Sequence, residues 1–215
     1  MSDIPFGDTA FGDVTFNGDR MRLEQNADGS ASITWDDKGT GRRCGSCTLC
    51  CRLVPVPQLA KPAGTRCKHA SYAKGCTIYA TRPNVCWAWS CRWLADPRTA
   101  GMPRPDRCHY VIDISYDYIT LIDAEGTPPR TVTVAQVWVD PSFPDAWRAP
   151  ELRAYMLALA EDYGVATIIR WNSRKAMTIF PPPISSDRQW HEIRDGTIEA
   201  RDAEEAAVLR DFANP

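Results

Sequence analysis

The chain has 215 residues, 44% hydrophobic and 24% charged, with a formal net charge of −2. That balance belongs to soluble globular proteins and excludes bulk disorder. No run approaches the roughly 20 apolar residues that a membrane helix requires, and Met1-Ser2-Asp3-Ile4-Pro5-Phe6 has neither the basic start nor the apolar run of a secretory signal, so the expected location is cytoplasmic, with no membrane partner.

In chain order, residues 13–35 read as short strands with turns at Asn17-Gly18 and Asn26-Ala27-Asp28-Gly29, a hairpin or small meander. From Gly39 to Gly75 the Gly, Pro, Lys and Cys content, with Pro55, Pro57 and Pro62, defeats both helical and strand periodicity. Ordering such backbone costs on the order of 1–2 kcal/mol per residue, which this stretch cannot recover by apolar burial, so it calls for an organising ligand. Thr81 to Leu94 reads as a short helix with Pro83 in its first turn and Asp96-Pro97 as its stop. Cys86 and Cys91 would then stand about 140° apart around the axis. Either the helix ends before Cys91 or the two thiols serve different parts of an assembly.

Beyond Pro103 and Pro105 the pattern becomes conventional. His109 to Tyr118 alternates apolar with polar, the mark of a half-buried strand, and Thr131 to Val139 is a second β-rich run. Pro150 to Tyr163 reads as a helix, with Leu152, Tyr155, Met156, Leu159 and Tyr163 as its apolar stripe and Gly164 as its stop. Val165 to Trp171 and Lys175 to Phe180 read as a hairpin about Asn172-Ser173-Arg174, and Gln189 to Ala200 as another about Asp195-Gly196. Asp202-Ala203-Glu204-Glu205 resembles a capping box opening a final short helix through Phe212. The expected fold class is α+β, one domain over residues 1–215. An irregular cysteine-rich module at 42–95 would pack on a mostly antiparallel sheet with a few helices, 106–215 forming the α+β portion.

Eight of the nine cysteines fall between Cys44 and Cys91. They open with Cys44-Gly-Ser-Cys47-Thr-Leu-Cys50-Cys51 and continue with Cys67, Cys76, Cys86 and Cys91. In a reducing compartment, cysteines at Cys-x2-Cys spacing point to a metal rather than to disulfides, and the odd total agrees. Three close thiolates with a remote fourth are how ferredoxin-type runs hold a [4Fe-4S] iron-sulfur cluster; zinc accepts the same ligands in tetrahedral geometry. Spacing alone does not separate the two. Adjacent side chains diverge, so Cys50 and Cys51 suggest two centres, or one centre and a spare thiol. Residues 42–95 also carry nine cations, Arg82 and Arg92 among them, and no Asp or Glu, whereas the remainder carries a net −11. Fixed positive charge offsets crowded thiolates, and Arg82 and Arg92, flanking Cys86 and Cys91, are candidate cofactor-binding donors to sulfur.

These residues carry a resemblance. The Cys44-x2-Cys47-x2-Cys50-Cys51 run, then Cys67, Gly75-Cys76-Thr77-Ile78-Tyr79, Arg82-Pro83-x2-Cys86 and Cys91-x-Trp93-Leu94 resemble the bacterial CxxCxxCC cysteine-cluster family, whose label is zinc or iron chelation. The likeness covers about residues 42–95. It implies metal binding by Cys44, Cys47, Cys50, Cys51, Cys67, Cys76, Cys86 and Cys91 and leaves the reaction open. A related cysteine motif occurs in flagellin lysine methylases, so an enzyme is not excluded. Cys108 lies outside the pattern.

Other residues weigh less. His69 could replace a sulfur at a zinc site but reads better as a surface histidine, and Cys108-His109 could reach back to the cluster but read better as the start of a strand. His191 has no companions. Trp87, Trp89 and Trp93 among basic residues could stack on nucleic-acid bases, yet the pI near 5.9 argues against a phosphate-tracking surface; shielding the centre from water fits them better. Tyr79 and Trp138 read as core, and Asp117, Asp123 and Asp140 as polar candidates without a base or nucleophile beside them. The resulting expectation is a protein that holds an iron-sulfur cluster or zinc, the [4Fe-4S] cluster slightly ahead because of the Cys44-x2-Cys47-x2-Cys50 run. Its alternatives are a closed zinc-stabilised structural or partner-binding module and a cluster-dependent enzyme, redox or methyltransfer-like.

Overall fold

The computed structural model describes residues 12–16, 19–25, 31–35, 40–83, 85–86, 89–121 and 128–194. The fold is α+β, its sheets built mostly of antiparallel strands. The expected early meander forms as β1 (Gly12–Phe16), β2 (Asp19–Gln25) and β3 (Ala31–Trp35), paired antiparallel in sequence order. Its two anticipated turns lie outside the described residues, as do the Asp195-Gly196 turn and the helix expected over 202–212.

The main sheet has the order β10-β9-β8-β7-β6. Its strands are β6 (Tyr110–Leu121), β7 (Arg130–Val139), β8 (Ala166–Arg170), β9 (Ala176–Phe180) and β10 (His191–Ile193). β7 and β8 run parallel, and every other neighbour is antiparallel. The parallel pair needs a crossover, which a helix supplies at Pro150–Tyr163. Pro150 opens it, and Gly164 closes it in the left-handed region at φ 65, its N–H reaching the Ala160 and Leu159 carbonyls. Of the expected stripe, Leu152, Tyr155, Met156 and Leu159 are buried, whereas Tyr163 is half exposed, with Arg98 over its ring. β10 pairs with β9, His191 opposite Phe180, so the segment after Gln189 extends the main sheet.

Strand alternation divides the sheet into two faces. Tyr110, Ile112, Val137 and Val139 join Leu152, Met156 and Leu159 of the crossover helix in the principal core. Val111 and its register partner Trp138 enter a second cluster, with Leu49, Leu53 and Cys91. The cysteine segment therefore supplies apolar cover to the sheet at β6–β7. A register shift between Ile112 and Tyr116 marks the place where Cys91 forms an isolated antiparallel bridge to Asp113. Among the described residues, no helix is long and apolar enough to cross a membrane.

Candidate metal centre

The cysteine segment is built from very short elements. These are α1 (Cys50–Leu53), the two-residue strands β4 (Ala70–Ser71) and β5 (Gly75–Cys76), α2 (Arg92–Ala95) and α3 (Pro105–Cys108); the crossover helix is α4. Cys44 to Cys47 is a tight turn, with the Cys47 N–H on the Cys44 carbonyl at 2.9 Å. Cys50 and Cys51 start α1. The Cys67 N–H bonds the Cys51 carbonyl at 2.8 Å, and β4 and β5 pair Ala70 with Cys76. Gly75 has φ +75, and a Cβ there would stand 2.1 Å from the Gly45 carbonyl oxygen. Only glycine lets the Cys76 hairpin press against the Cys44–Cys47 turn.

The single helix expected over 81–94 is interrupted. Val85 and Cys86 are helical, Cys91 is extended, and α2 begins after it. The bridge to Asp113 takes the Cys91 backbone out of helical geometry, so the helix ends before Cys91 and the two thiols stand on different pieces of chain. Tyr79, expected in the core, is half exposed beneath Arg82, whose guanidinium carbon is 3.9 Å from the ring centre. Trp138 is core, as expected.

All nine cysteines are free thiols. Cys44, Cys47, Cys50 and Cys91 line one cavity of about 10 Å³, closed by Trp93, Leu94, Pro105 and Val111, with room for a body the size of one water molecule. The Cys50 and Cys51 sulfurs are 4.0 Å apart. Burial pushes the Cys44 thiol up to about 11, with the Cys47 and Cys51 sulfurs adding to it, and pushes Cys91 up to about 12. Cys51 moves the other way, to about 7: the Cys50 thiol donates to it, and against the opposing effect of burial Lys61 and Arg66 pull in the same direction. The same donation holds the proton on Cys50. Cys86 is raised by burial and by Cys51, Cys67 and Cys76, with Arg82 opposing. Among the described residues, no three or more His, Cys, Asp or Glu side chains already stand where they could hold an ion together; the thiols are neighbours rather than a closed ligand set.

The cations divide by role. Arg82 lies near enough to Cys44 and Cys86 to favour their thiolates, while its Nε donates to the Cys86 carbonyl at 3.0 Å. Arg92 is 1% exposed, donates to the Asp113 carbonyl, which ties α2 to β6, and pairs at 3.9 Å with Asp96 at the end of α2. Lys61 is the residue that sequence reasoning passed over. It is 4% exposed, donates to the carbonyls of Arg52, Val54 and Pro62, and stands in the field of Cys51, Cys67, Cys50 and Cys86. Its position in an acid-free stretch was the available signal; its burial was not legible. Trp89 and Trp138, in the cluster with Cys47, Cys50 and Cys91, each bury an indole N–H that has no hydrogen-bond partner among the described residues. Trp87 and Asp123 lie outside those residues.

The remaining candidates have other occupations. Cys108 packs against the principal core, its sulfur 3.8 Å from the Pro105 carbonyl and 3.6 Å from that of Tyr110. His109 caps α3 at φ 64 and stacks on Phe143, ring centres 3.6 Å apart. The His69 carbonyl accepts from both the backbone N–H and the hydroxyl of Thr77. Asp140 pairs with Arg52, next to Cys51, and Asp117 accepts from the Gln136 amide. Comparison with family models, curated proteins and solved structures finds no match for this chain.

Proposed function

We propose that this protein binds metal through Cys44, Cys47, Cys50, Cys51, Cys67, Cys76, Cys86 and Cys91. One observation carries the reading: of eight free thiols in one segment, Cys44, Cys47, Cys50 and Cys91 line a single cavity, the Cys51–Cys67 and Ala70–Cys76 backbone pairings hold further cysteines beside α1, and buried Lys61 stands among them with Arg66 and Arg82. A divalent ion displaces thiol protons that burial otherwise retains, and these cations offset the negative charge that the thiolates leave behind. The Trp89 and Trp138 indoles, without a hydrogen-bond partner among the described residues, supply N–H donors of the kind that stabilise ligating sulfur. Binding draws the sulfurs inward, since they do not yet stand at ligating positions.

Zinc is the favoured ion, because a cavity of about 10 Å³ between four of the cysteines suits a single ion better than a cubane. The Cys44-x2-Cys47-x2-Cys50 run favours the second reading, an iron-sulfur cluster with redox or enzymatic use. Elemental and acid-labile sulfide analysis of anaerobically purified protein divides them. Stoichiometric zinc without a visible band supports the first, and iron with sulfide the second. Protein devoid of either, and unable to take them up, would sink metal binding altogether.

A further inference from the structure

We propose that the eight thiols form two separate four-sulfur sites, an inner one of Cys44, Cys47, Cys50 and Cys91 and an outer one of Cys51, Cys67, Cys76 and Cys86, each taking one divalent zinc-type ion. This deepens the metal-binding reading and rests on it. Tetrahedral zinc is completed by four protein thiolates, and the partition uses every cysteine of the segment once.

The inner set is defined by a shared cavity and a shared wall. Its four residues line the same small void, and three of them, Cys47, Cys50 and Cys91, also pack into the apolar cluster against Val111 and Trp138. The outer set is defined by backbone connections that start from Cys51 in α1. The Cys51 carbonyl accepts from the Cys67 N–H, the Cys67 carbonyl accepts from the Ala70 N–H at 3.0 Å, and Ala70 is the ladder partner of Cys76. Cys86 has Cys51, Cys67 and Cys76 as its sulfur neighbours. None of these four belongs to the apolar cluster.

The Cys50–Cys51 step makes the division physical. Successive residues of a helical turn point about 100° apart, so one side chain faces the apolar wall while the next faces Lys61 and Arg66. Their sulfurs are 4.0 Å apart, so the two sites meet at this step, and it is the different surroundings of the two thiols that divide them. Gly75 against Gly45 is the second point of contact between the halves, and Cys44, which neighbours Cys51 and Cys76 as well as Cys47, stands at that border. Two thiolate-rich ions so close repel, and the cations gather on the outer side to offset this. The inner ion is sealed by apolar side chains and is retained; the outer ion, outside the apolar cluster and flanked by Lys61, Arg66 and Arg82, is the exchangeable one.

The test uses the full chain loaded with zinc, and in parallel with cobalt(II), under reducing conditions. Native mass spectrometry is expected to show two zinc ions per chain, and cobalt titration two equivalents with the bands of tetrahedral thiolate ligation. Cys91→Ser and Cys86→Ser should each keep one ion, and a competing chelator should strip the ion left in Cys91→Ser about tenfold faster than the one left in Cys86→Ser. Should Cys91→Ser fail to fold, the wild-type cobalt titration decides alone. A single equivalent per chain, loss of both ions in both folded variants, or four irons with sulfide would overturn the partition while leaving metal binding intact. Absence of any bound metal would remove both.

Discussion

The sheet-and-helix region and the cysteine segment solve the folding problem in opposite ways. Between β6 and β9 the chain hides large apolar side chains almost completely, with Leu152 and Ile169 at 0% exposed and Val137 at 1%. Burial of this kind, at roughly 25 cal/mol per Å², meets the entropy of ordering the backbone. Among the described residues of 42–95, strands have two residues, α-helices four, and the fully buried apolar side chains are Leu49, Leu53 and Cys91, with Val54, Trp89, Trp93 and Leu94 only partly buried beside them. A region so thin in apolar burial yet specific in backbone geometry depends on something other than hydrophobic contact, and the thiols with their cations are the means at hand.

Metal removal is the severest way to press this comparison. Chelation under reducing conditions, or Cys47→Ser together with Cys76→Ser, should abolish hydrogen-exchange protection across 42–95 while the sheet and α4 stay protected; structural zinc in small peptides is worth on the order of 10 kcal/mol. Equal protection of both regions without metal would show that the cysteine segment stands unaided. Leu152→Ala presses the other side. It should cost about 3 kcal/mol by denaturant unfolding and leave the metal content unchanged, because α4 lies on the face of the sheet opposite Val111 and Trp138.

Asp96 joins the two regions, accepting from Arg98 and from the Tyr155 hydroxyl on α4. Burial alone would raise its carboxyl, but the Arg98 and Tyr155 hydrogen bonds win and hold it below the ordinary 3.8. A depressed carboxyl stabilises the fold fully above that ordinary value, and the contribution is lost as pH falls through the lower folded value. Asp96→Asn should therefore cost about 2 kcal/mol at neutral pH and flatten the acid limb of the stability profile below about pH 4. An unchanged acid limb would remove Asp96 as the coupling. The most local effect belongs to Gly75→Ala, which forces a side chain into positive φ, a strain of about 1–2 kcal/mol, and in addition against the Gly45 carbonyl oxygen, which must move away. Its sharper readout is metal: affinity at Cys76 should fall, with the melting of the main sheet unmoved.

Periodicity found most of the sheet region. The strands at 110–121 and 130–139, the α4 helix and the hairpin strands at 166–170 and 176–180 all sit where alternation or a 3.6-residue stripe placed them. It did not reveal that β7 and β8 are parallel, because pairing direction follows from where α4 carries the chain, not from either strand's residues. Tyr79 misled for a related reason: a β-like run promises core only if a sheet is there to receive it. The Thr81–Leu94 stretch read as one helix because local propensity says nothing of the Cys91 bridge to Asp113, a contact made 22 residues away.

From its sequence alone, this protein is an α+β chain with a thiol-rich, acid-free segment, since composition and spacing are local properties that survive any arrangement. Tertiary structure decided which face of the sheet that segment covers, that Lys61 is buried among the sulfurs while Arg92 serves Asp96 and Asp113, and that Cys50 and Cys51 turn toward different surroundings. Those outcomes depend on which distant side chains compete for the same space, and no single stretch of chain encodes its own neighbours.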